Sequence, residues 1–354
     1  MSAKTAASAS TEHRFPWKWR LEDLEKVEKN GYKVFSTFAC GGGSTMGYKL
    51  AGFTVLGNCE IDPEMAAVYK ENHHPRFSFN MDIRDFNEMG GYPEELLDLD
   101  ILDGSPPCST FSTSGKREEG WGVEKRFREG QKMQRLDDLF FAYIRTAEIL
   151  KPKVVIAENV EGLIKANARG YVSEIARGFD EAGYTVQLFL LDAQTMGVPQ
   201  RRRRVFFVGH RKDLDLPKIR LDFREPLIKF GEVRSEHGVP LSEGSLFAEL
   251  IQKRKKGDAA FSDISLRERG SVNGFNSRIN EDSKVAATNA SGGTYVRFYD
   301  GERYSKEDWI NTQTFPQDYN FLNLSTQYIC GMSVPPVMMA QIATQVREQW
   351  LDLL

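Results

Sequence analysis

The sequence predicts an α/β protein in which a doubly wound, mostly parallel sheet is joined to a second, smaller and irregular domain. From Lys33 to about Asp213, short apolar runs alternate with turns and helix-like segments, which is typical of parallel strands connected by helices. After Asp213 this rhythm gives way to stretches rich in proline, glycine, serine and charged residues. With 354 residues, the chain exceeds what one hydrophobic core usually accommodates, so we expect two domains.

The predicted elements alternate as this fold requires. Strands are predicted at residues 33–39, 54–60, 101–103, 154–158, 185–192 and 205–209. Helices are predicted at residues 46–51, 63–72, 138–150, 160–167, 171–182 and 336–353. Ligands of open sheets bind outside the carboxyl ends of the strands, so the residues that follow each strand are the first candidates for a site.

Four segments are expected along the chain. An N-terminal tail over residues 1–30 is expected to be partly disordered, because its start is rich in alanine, serine and threonine. The main domain over 31–214 is followed by the irregular domain over 215–304. Residues 305–354 are expected to return to the main domain and to end in an amphipathic helix that packs on its core.

Composition limits the classes of protein that the chain can be. No apolar run reaches the ~18 residues that a membrane span needs, so we expect a soluble, cytoplasmic protein without a membrane partner. The cysteines show neither metal-ligand nor disulfide spacing, so no metal site is expected. They are Cys40, Cys59, Cys108 and Cys330.

The formal net charge of −3 excludes a uniformly basic surface. Nucleic-acid binding would therefore depend on local clusters, because phosphate contacts need lysine and arginine. Two such clusters occur, at residues 201–204 and 253–256. Runs of this kind are more often solvated surface, so charge alone does not identify a partner.

The turn after the first strand and the ends of the next strands are typical of a nucleotide-like site. Clustered glycines in residues 38–47 let a backbone approach such a ligand, although a plain strand-to-helix turn would look the same. Glu60 follows about twenty residues later, where a carboxylate can accept hydrogen bonds from ribose. Asp62, before Pro63, suits a helix cap. Asp82 either accepts a hydrogen bond from an adenine amino group or forms a surface turn.

Three further segments suggest reactive chemistry. Cys108 follows two prolines directly after a predicted strand, where it is either an exposed nucleophile or a small core residue. Glu158 ends another apolar run and is either desolvated and suited to proton donation or the first residue in water. Gln200, Arg202 and Arg204 alternate along a predicted strand, so their side chains are expected to lie on the same face and to bind one polar ligand together.

Taken in order, these segments resemble the DNA (cytosine-5)-methyltransferase family of prokaryotes and phages. The resemblance rests on the Phe-x-x-x-Gly-Gly turn from Phe38, Glu-x-Asp from Glu60, Pro-Pro-Cys at Cys108, Glu-Asn-Val from Glu158 and Gln-x-Arg-x-Arg from Gln200. The segment Gly-Met-Ser-Val-Pro-Pro at residues 331–336 completes the set. The matched parts span about residues 34–209 and 303–346, which leaves the second domain unmatched, as expected of the family's variable target-recognition region.

The resemblance implies a Rossmann-like methyltransferase sheet that uses S-adenosylmethionine as cofactor. It implies that Phe38 packs on the adenine ring and that Glu60 binds the ribose. The residues assigned to the cofactor in this way are Phe38, Gly42, Gly43, Glu60, Ile61, Asp82, Ile83, Pro106, Ser333 and Val334.

The resemblance also implies a covalent mechanism on a cytosine that is flipped out of duplex DNA. The Cys108 thiolate would attack C6, and Glu158 would hydrogen-bond N3 and the exocyclic amine. Arg204 would contact O2, while Arg202 would position the catalytic loop or a phosphate. Residues 112–135 would form a loop that closes over the DNA, or else a plain solvated connection.

Three positions depart from the family pattern. Cys40 stands where the family usually has glycine, Met332 interrupts the usual Gly-Asn-Ser, and Ser109 stands where glutamine is common. The first two leave open how the methionine end of the cofactor is bound and whether an altered methyl donor is used.

The resemblance predicts a monomer that modifies double-stranded DNA in a restriction-modification system, and it leaves open a cognate restriction endonuclease. One alternative is a transfer-RNA cytosine-5 methyltransferase, which the length of the second domain disfavours. Another is a catalytically inactive DNA-binding homologue, which the intact Cys108, Glu158 and Arg204 disfavour. Four arginines of the second domain are candidate DNA contacts, although each can equally be ordinary surface. They are Arg267, Arg269, Arg278 and Arg297.

Overall fold

A seven-stranded sheet forms the centre of the molecule in the computed structural model, which describes residues 13–107, 138–165, 169–272 and 276–354. Its strands, together with the short β7 that precedes the last of them, are β1 (Lys33–Thr37), β2 (Thr54–Cys59), β3 (Phe77–Phe79), β4 (Ile101–Gly104), β5 (Val154–Val160), β6 (Tyr184–Asp192), β7 (Gln200–Arg201) and β8 (Arg203–Arg211).

The strand order is β3-β2-β1-β4-β5-β8-β6. The first five strands in this order are parallel, and β8 runs antiparallel to both of its neighbours, β5 and β6. The topological switch point lies between β1 and β4. The strands that follow β1 in the chain, β2 and β3, lie on one side of it, whereas β4 and β5 lie on the other. Ligands of open α/β sheets bind outside the carboxyl ends of the strands at such a switch point.

Helices cover both faces of the sheet. They are α1 (Gly43–Leu50), α2 (Pro63–His73), α3 (Ile83–Glu88), α4 (Leu139–Leu150), α5 (Arg169–Glu181), α6 (Phe230–Val233), α7 (Leu246–Ile251), α8 (Phe261–Arg269), α9 (Lys306–Gln313), α10 (Thr326–Met332) and α11 (Pro336–Gln349). Residues of α1, α2 and α11 pack on one face, and residues of α3, α4 and α5 pack on the other. The predicted doubly wound, mostly parallel sheet is confirmed.

The predicted strands and helices of the main domain agree with the structure to within a few residues, with one exception. A helix is predicted over 160–167, but β5 continues to Val160 and a 3-10 helix, Glu161–Ile164, follows it. Residues 166 and 167 of the predicted helix lie outside the described residues. The sequence pattern is ambiguous here because the polar residues at the end of β5 belong to a strand that continues into the site.

The second domain has a small core of its own. Apolar residues of α7, α8, β9 (Ser277–Asn280) and β11 (Thr294–Arg297) form this cluster. β10 (Ala286–Ala287) pairs in parallel with β7, and this pairing joins the second domain to the main domain. Other parts of the second domain, including Phe230 and Tyr295, belong to the core of the main domain.

The ends of the chain pack on the main domain. Trp19 is buried, and its indole Nε1 donates to the carbonyl oxygen of Thr314 at 2.9 Å, so this part of the predicted N-terminal tail is folded onto the C-terminal segment. Trp350, just after α11, is fully buried and donates from Nε1 to the carbonyl oxygen of Pro217 at 2.7 Å. Within the described ranges, no helix is both long and apolar enough to span a membrane.

Replacing Trp350 with alanine tests how much the C-terminal helix stabilises the main domain. The cavity and the loss of apolar burial should lower the free energy of unfolding by about 3–5 kcal/mol. Urea denaturation followed by circular dichroism measures this change. The control, Leu353→Ala, alters a side chain that is 63% exposed and should change the value by less than about 0.5 kcal/mol. Equal effects of the two substitutions would contradict the assignment.

Candidate active site

The glycine-rich turn between β1 and α1 lies at the switch point. Gly42 has a φ of 78°, which favours glycine, and a Cβ at this position would lie 2.2 Å from Nε2 of His73. Gly43 is packed equally closely, because a Cβ there would lie 2.2 Å from the carbonyl oxygen of Val334. The two glycines therefore allow the turn to approach α2 and the segment before α11.

Glu60, at the end of β2, holds this turn in place. Its Oε2 accepts from the backbone N–H of Cys40 at 2.8 Å, and its Oε1 accepts from that of Asp62 at 2.9 Å. Burial raises the pKa of Glu60, and the two amide donors oppose this shift. Asp62 caps α2 by accepting from the backbone N–H of Glu64 at 2.9 Å, so its predicted role as a cap is confirmed.

A cleft with an empty volume of about 720 Å³ opens beside the turn, and we call it the main cleft. Its walls come from the ends of β1, β2 and β4 and from α2, α3, α4 and α10. The residues that line it are Phe38, Cys40, Cys59, Glu60, Ile61, Asp62, Met65, Met81, Asp82, Ile83, Ser105, Pro107, Leu139, Tyr328 and Met332. Apolar walls with a few carboxylates and backbone groups are typical of a small-molecule site.

The structure places half of the predicted cofactor residues in this cleft. Phe38, Glu60, Ile61, Asp82 and Ile83 line it. The other half are buried and do not line the cleft, and they are Gly42, Gly43, Pro106, Ser333 and Val334. Tyr328 and Leu139 line the cleft without having been predicted, because no motif contains them.

Asp82 and Cys40 show how the wall is organised. Asp82 caps α3 by accepting from the backbone N–H of Arg84 at 2.8 Å, and it forms an ion pair with the Arg84 side chain at 3.0 Å. Cys40 has a φ of 46°, which accounts for the glycine that is usual in similar turns. Burial raises the pKa of the Cys40 thiol to about 12, so this thiol stays protonated at neutral pH.

The turn after β4 lies next to the end of β5. The Asn159 side chain donates from Nδ2 to the carbonyl oxygen of Pro106 at 2.9 Å and accepts from the backbone N–H of Val160 at 2.9 Å. Asn159 is buried and therefore fixes the turn to β5. Cys108, Ser109 and the predicted loop 112–135 lie outside the described residues.

Glu158 forms an ion pair with Arg204 across β5 and β8. Arg204 Nε lies 3.0 Å from Glu158 Oε1, and their side chains are 14% and 12% exposed. Burial lowers the pKa of Arg204, and the charge of Glu158 opposes this effect. A carboxylate and a guanidinium held together with little solvent can bind a polar ligand that has both donors and acceptors.

Arg202 does not join this pair, so the prediction that Gln200, Arg202 and Arg204 bind one polar ligand together is wrong. The chain leaves regular strand geometry at Arg202, between β7 and β8. Its guanidinium is 2% exposed and donates to the carbonyl oxygens of Asn289 at 2.9 Å, Gly331 at 2.9 Å and Ser333 at 3.0 Å. It is therefore not accessible to a phosphate in this structure.

Gln200 also belongs to this buried junction. Its Nε2 donates to the carbonyl oxygen of Thr312 at 2.9 Å and to Oε1 of Gln313 at 2.8 Å. Its Oε1 accepts from the backbone N–H of Asn289 at 2.8 Å, and Gln313 donates to the carbonyl oxygen of Ser333 at 2.8 Å. The junction joins the main domain, the second domain and the C-terminal segment.

The four arginines predicted as DNA contacts differ in their surroundings. Arg297 is fully buried, donates to Ser235 Oγ at 3.1 Å and lies 3.6 Å from Asp308 Oδ2, so its prediction as a surface contact is wrong. Arg267 pairs with Asp258 at 2.7 Å, and Arg269 pairs with Glu249 at 3.0 Å. Arg278 is exposed and makes no ion pair within the described ranges.

The Arg202→Lys substitution tests the junction. Lysine keeps the charge but lacks the planar fork that reaches three carbonyl groups, and each buried group left without a partner costs about 1–3 kcal/mol. We expect a loss of about 2–4 kcal/mol of unfolding free energy in urea denaturation. Arg203→Lys, at a side chain that is 50% exposed, is the matched control and should change it by less than about 0.5 kcal/mol. A loss at Arg202 no larger than the control's would refute the role of the junction.

The comparison with protein families matches one model to residues 32–348, and this model describes a C-5 cytosine-specific DNA methylase. Type II methyltransferase M.NgoPII of Neisseria gonorrhoeae is 36% identical over 196 residues, which are 55% of this chain and 53% of that protein. Type II methyltransferase M.NgoFVII of the same species is 27% identical over 346 residues, which are 90% of this chain and 87% of that protein. The chain spans about half the length of several of the curated relatives that it matches.

Solved structures share the fold. A DNMT2 variant from Spodoptera frugiperda superposes with a TM-score of 0.60 at 17% identity, covering 89% of this chain and 99% of that one. The Entamoeba histolytica methyltransferase EhMeth gives a TM-score of 0.57 at 13% identity, covering 92% of this chain and 100% of that one. The predicted Rossmann-like methyltransferase sheet is confirmed.

Proposed function

Because the chain belongs to the C-5 cytosine-specific DNA methylase family, we propose that it transfers a methyl group from S-adenosylmethionine to C5 of a flipped-out cytosine in a specific duplex DNA sequence. The observation that best supports this proposal is the Glu158–Arg204 pair beside the turn that leads to Cys108, next to the main cleft. The Glu158–Arg204 pair would form the base pocket, and the main cleft would form the cofactor pocket. Two pockets that lie side by side at the carboxyl ends of the strands suit a transfer between two bound molecules.

The main cleft suits S-adenosylmethionine by the chemistry of its walls. Phe38, Ile61 and Ile83 provide apolar surface for an adenine ring, and Asp82 provides an acceptor for its amino group. Glu60 uses each carboxylate oxygen for one backbone amide, which leaves lone pairs for ribose hydroxyl groups. When bound, the cofactor supplies the methyl group as a sulfonium electrophile.

The residues of the base pocket would make C5 nucleophilic. The Cys108 thiolate would form a bond to C6 of the cytosine and break the 5,6-double bond. Glu158 would bind N3 and the exocyclic amine, and Arg204 would bind O2, so both would stabilise the charge that develops on the ring. C5 would then accept the methyl group, and loss of the C5 proton would expel Cys108. Arg202 would act indirectly, by holding residues 331–333.

A cytosine inside a duplex cannot reach such a pocket. The base must rotate out of the stack, which costs a few kcal/mol. We infer that the second domain and residues 112–135 bind the DNA around the flipped base. Action as a monomer, within a bacterial or phage-infected cytoplasm and beside a cognate restriction endonuclease, is part of the same proposal. The bacterial Type II relatives support the restriction-modification setting.

Cys108→Ser tests the function and the nucleophile together. The wild-type protein should transfer label from S-adenosylmethionine to duplex DNA, and the variant should fall to background because serine is a much poorer nucleophile toward C6. DNA that contains 5-fluorocytosine should trap the wild-type protein covalently, since fluorine cannot leave as the C5 proton does. Methyl transfer by the variant at the wild-type rate would refute Cys108 as the nucleophile.

The same assay separates the alternatives. Label in transfer RNA but not in duplex DNA would favour the transfer-RNA methyltransferase, and DNA binding without transfer would favour the inactive homologue. Bisulfite sequencing of the treated DNA would give the target sequence. Mass spectrometry of the product base would show whether 5-methylcytosine forms or whether an altered donor is used.

Glu60→Gln tests the cofactor site without requiring catalysis. The amide group would turn an N–H toward one of the two backbone amides that Glu60 now accepts from, and it would weaken the interaction with ribose. We expect about 10- to 100-fold weaker binding of S-adenosylmethionine by isothermal titration calorimetry, because hydrogen bonds to a charged group contribute about 1.5–3 kcal/mol. The control is Glu88→Gln, an exposed carboxylate on α3, and equal affinities of the two variants would contradict the assignment.

A further inference from the structure

Asp103, in β4, is a buried carboxyl group to which the proposed reaction assigns no role. It is 2% exposed and lies in the middle of the sheet, where it is paired with Ser36 of β1 and Ile156 of β5. The turn that follows it borders the main cleft and leads to Cys108. Asp103 therefore lies at the switch point, between the two pockets.

Asp103 connects β4 to the two elements that flank the glycine-rich turn. Ser36 Oγ, in β1, donates to its Oδ2 at 2.7 Å, and the Tyr48 hydroxyl, in α1, donates to its Oδ1 at 3.2 Å. The Thr37 hydroxyl donates to the backbone carbonyl oxygen of Asp103 at 3.0 Å. These three donors are neutral hydroxyl groups, and so is Ser44 of α1, which also hydrogen-bonds the Asp103 carboxylate.

Within the part of the chain that the structure describes, Asp103 forms no ion pair, and no cation is among the main causes of its pKa shift. The titratable groups that face it are the phenols Tyr48 of α1, Tyr69 of α2 and Tyr143 of α4, and the carboxylate Glu158 of β5. Glu158 lies on the same face of the sheet, because it is two residues beyond Ile156.

Burial raises the pKa of Asp103 to about 7. The hydroxyl donors Ser36, Tyr48 and Ser44 lower it, and the charge of Glu158 raises it. The group therefore changes its charge close to neutral pH.

The ionisation state decides how firmly β4 is held. A carboxylate accepts from both the Ser36 and the Tyr48 hydroxyl groups, whereas a protonated acid has an O–H that needs an acceptor of its own. Burying a carboxylate without a cation also costs free energy that an apolar or amide side chain would not. An ionisable group is thus a costly way to hold β4, and its position directly before the turn that borders the main cleft suits a role in the reaction.

We propose that Asp103 is a positioning residue for the methyl transfer: its ionised carboxylate ties the end of β4 to β1 and α1 and thereby fixes the turn at residues 105–107, which precedes Cys108 in the chain, relative to the main cleft. This inference rests on the proposed function and deepens it, because it makes the alignment of the two pockets depend on the charge of one buried group.

The test compares kcat of the wild-type protein and Asp103→Asn from pH 6 to pH 8. The amide resembles the protonated acid, so the ratio of wild-type to variant kcat should rise with pH, by up to about tenfold, as the ionised fraction of a group that titrates near neutrality increases. The KM values for DNA and cofactor should stay within about twofold of the wild-type values. Ser36→Ala removes a donor to the charged form and should move the rise in the wild-type profile to higher pH.

A stability measurement distinguishes this role from a structural one. Because the folded protein holds the pKa of Asp103 above its ordinary value, this group costs stability as pH rises from about 4 to 7, and the cost is constant above that range. Asp103→Asn lacks this cost, so its melting temperature relative to wild type should be higher at pH 8 than at pH 5, while its kcat is lower.

The outcomes separate the two proposals. A ratio of kcat values that does not change with pH, in an active wild-type protein, would overturn the role of Asp103 and leave the proposed function intact. A wild-type protein that transfers no methyl group at any pH would refute the proposed function and the positioning role with it. A variant that melts lower than wild type by the same amount at both pH values would show a purely structural carboxyl group and would also overturn the proposal.

Discussion

The arrangement of the site depends on the buried guanidinium of Arg202 more than on any other single contact. Its three acceptors belong to the second domain and to residues 331–333, so one side chain from the edge of the sheet holds both. Met332, which lines the main cleft, lies between two of the acceptors. Only arginine has a rigid fork that can reach three carbonyl groups at once. The wall of the cleft and the second domain are therefore held by the same group.

A second constraint is that polar groups are concentrated on one face of the sheet, at the carboxyl ends of its parallel strands. On this face, buried apolar residues are followed by Ser36 in β1, Asp103 in β4 and Glu158 in β5. Arg204 lies at the same end of the sheet because β8 runs antiparallel and begins there. Among the described residues, Glu158 pairs with an arginine, whereas the Asp103 carboxylate accepts from hydroxyl groups. Two carboxyl groups in one layer thus have different environments.

The sequence predicted those features that are set by local chemistry. Apolar runs identified the strands, because buried parallel strands are apolar on both faces, and the Asp62-Pro63 pair identified the start of α2. The order of the motifs also identified the family and the fold. These features need no information about distant parts of the chain.

Features that depend on distant partners could not be predicted. The alternation argument for Arg202 assumed a continuous strand, whereas the chain bends there toward carbonyl groups about ninety residues and more away, such as that of Asn289. The motif residues Ser333 and Val334 are buried and do not line the main cleft, because a motif shows which residues occur together but not which of them face a ligand. Asn159 and Asp103 have roles that depend on neighbouring strands, and only the register of the sheet shows them.

The arginine run 201–204 shows why the net charge is a poor guide to a partner. Partners within the protein divide it: Arg202 donates to buried carbonyl groups and Arg204 pairs with Glu158, while Arg201 and Arg203 are exposed. In the second domain, Arg297 is likewise held inside the protein, by Ser235 and Asp308. The number of arginines in a run is therefore not the number of cations that can reach a phosphate group. Under the proposed function, phosphate contacts would position the protein on the duplex, while base contacts and the flipped cytosine would carry the sequence information.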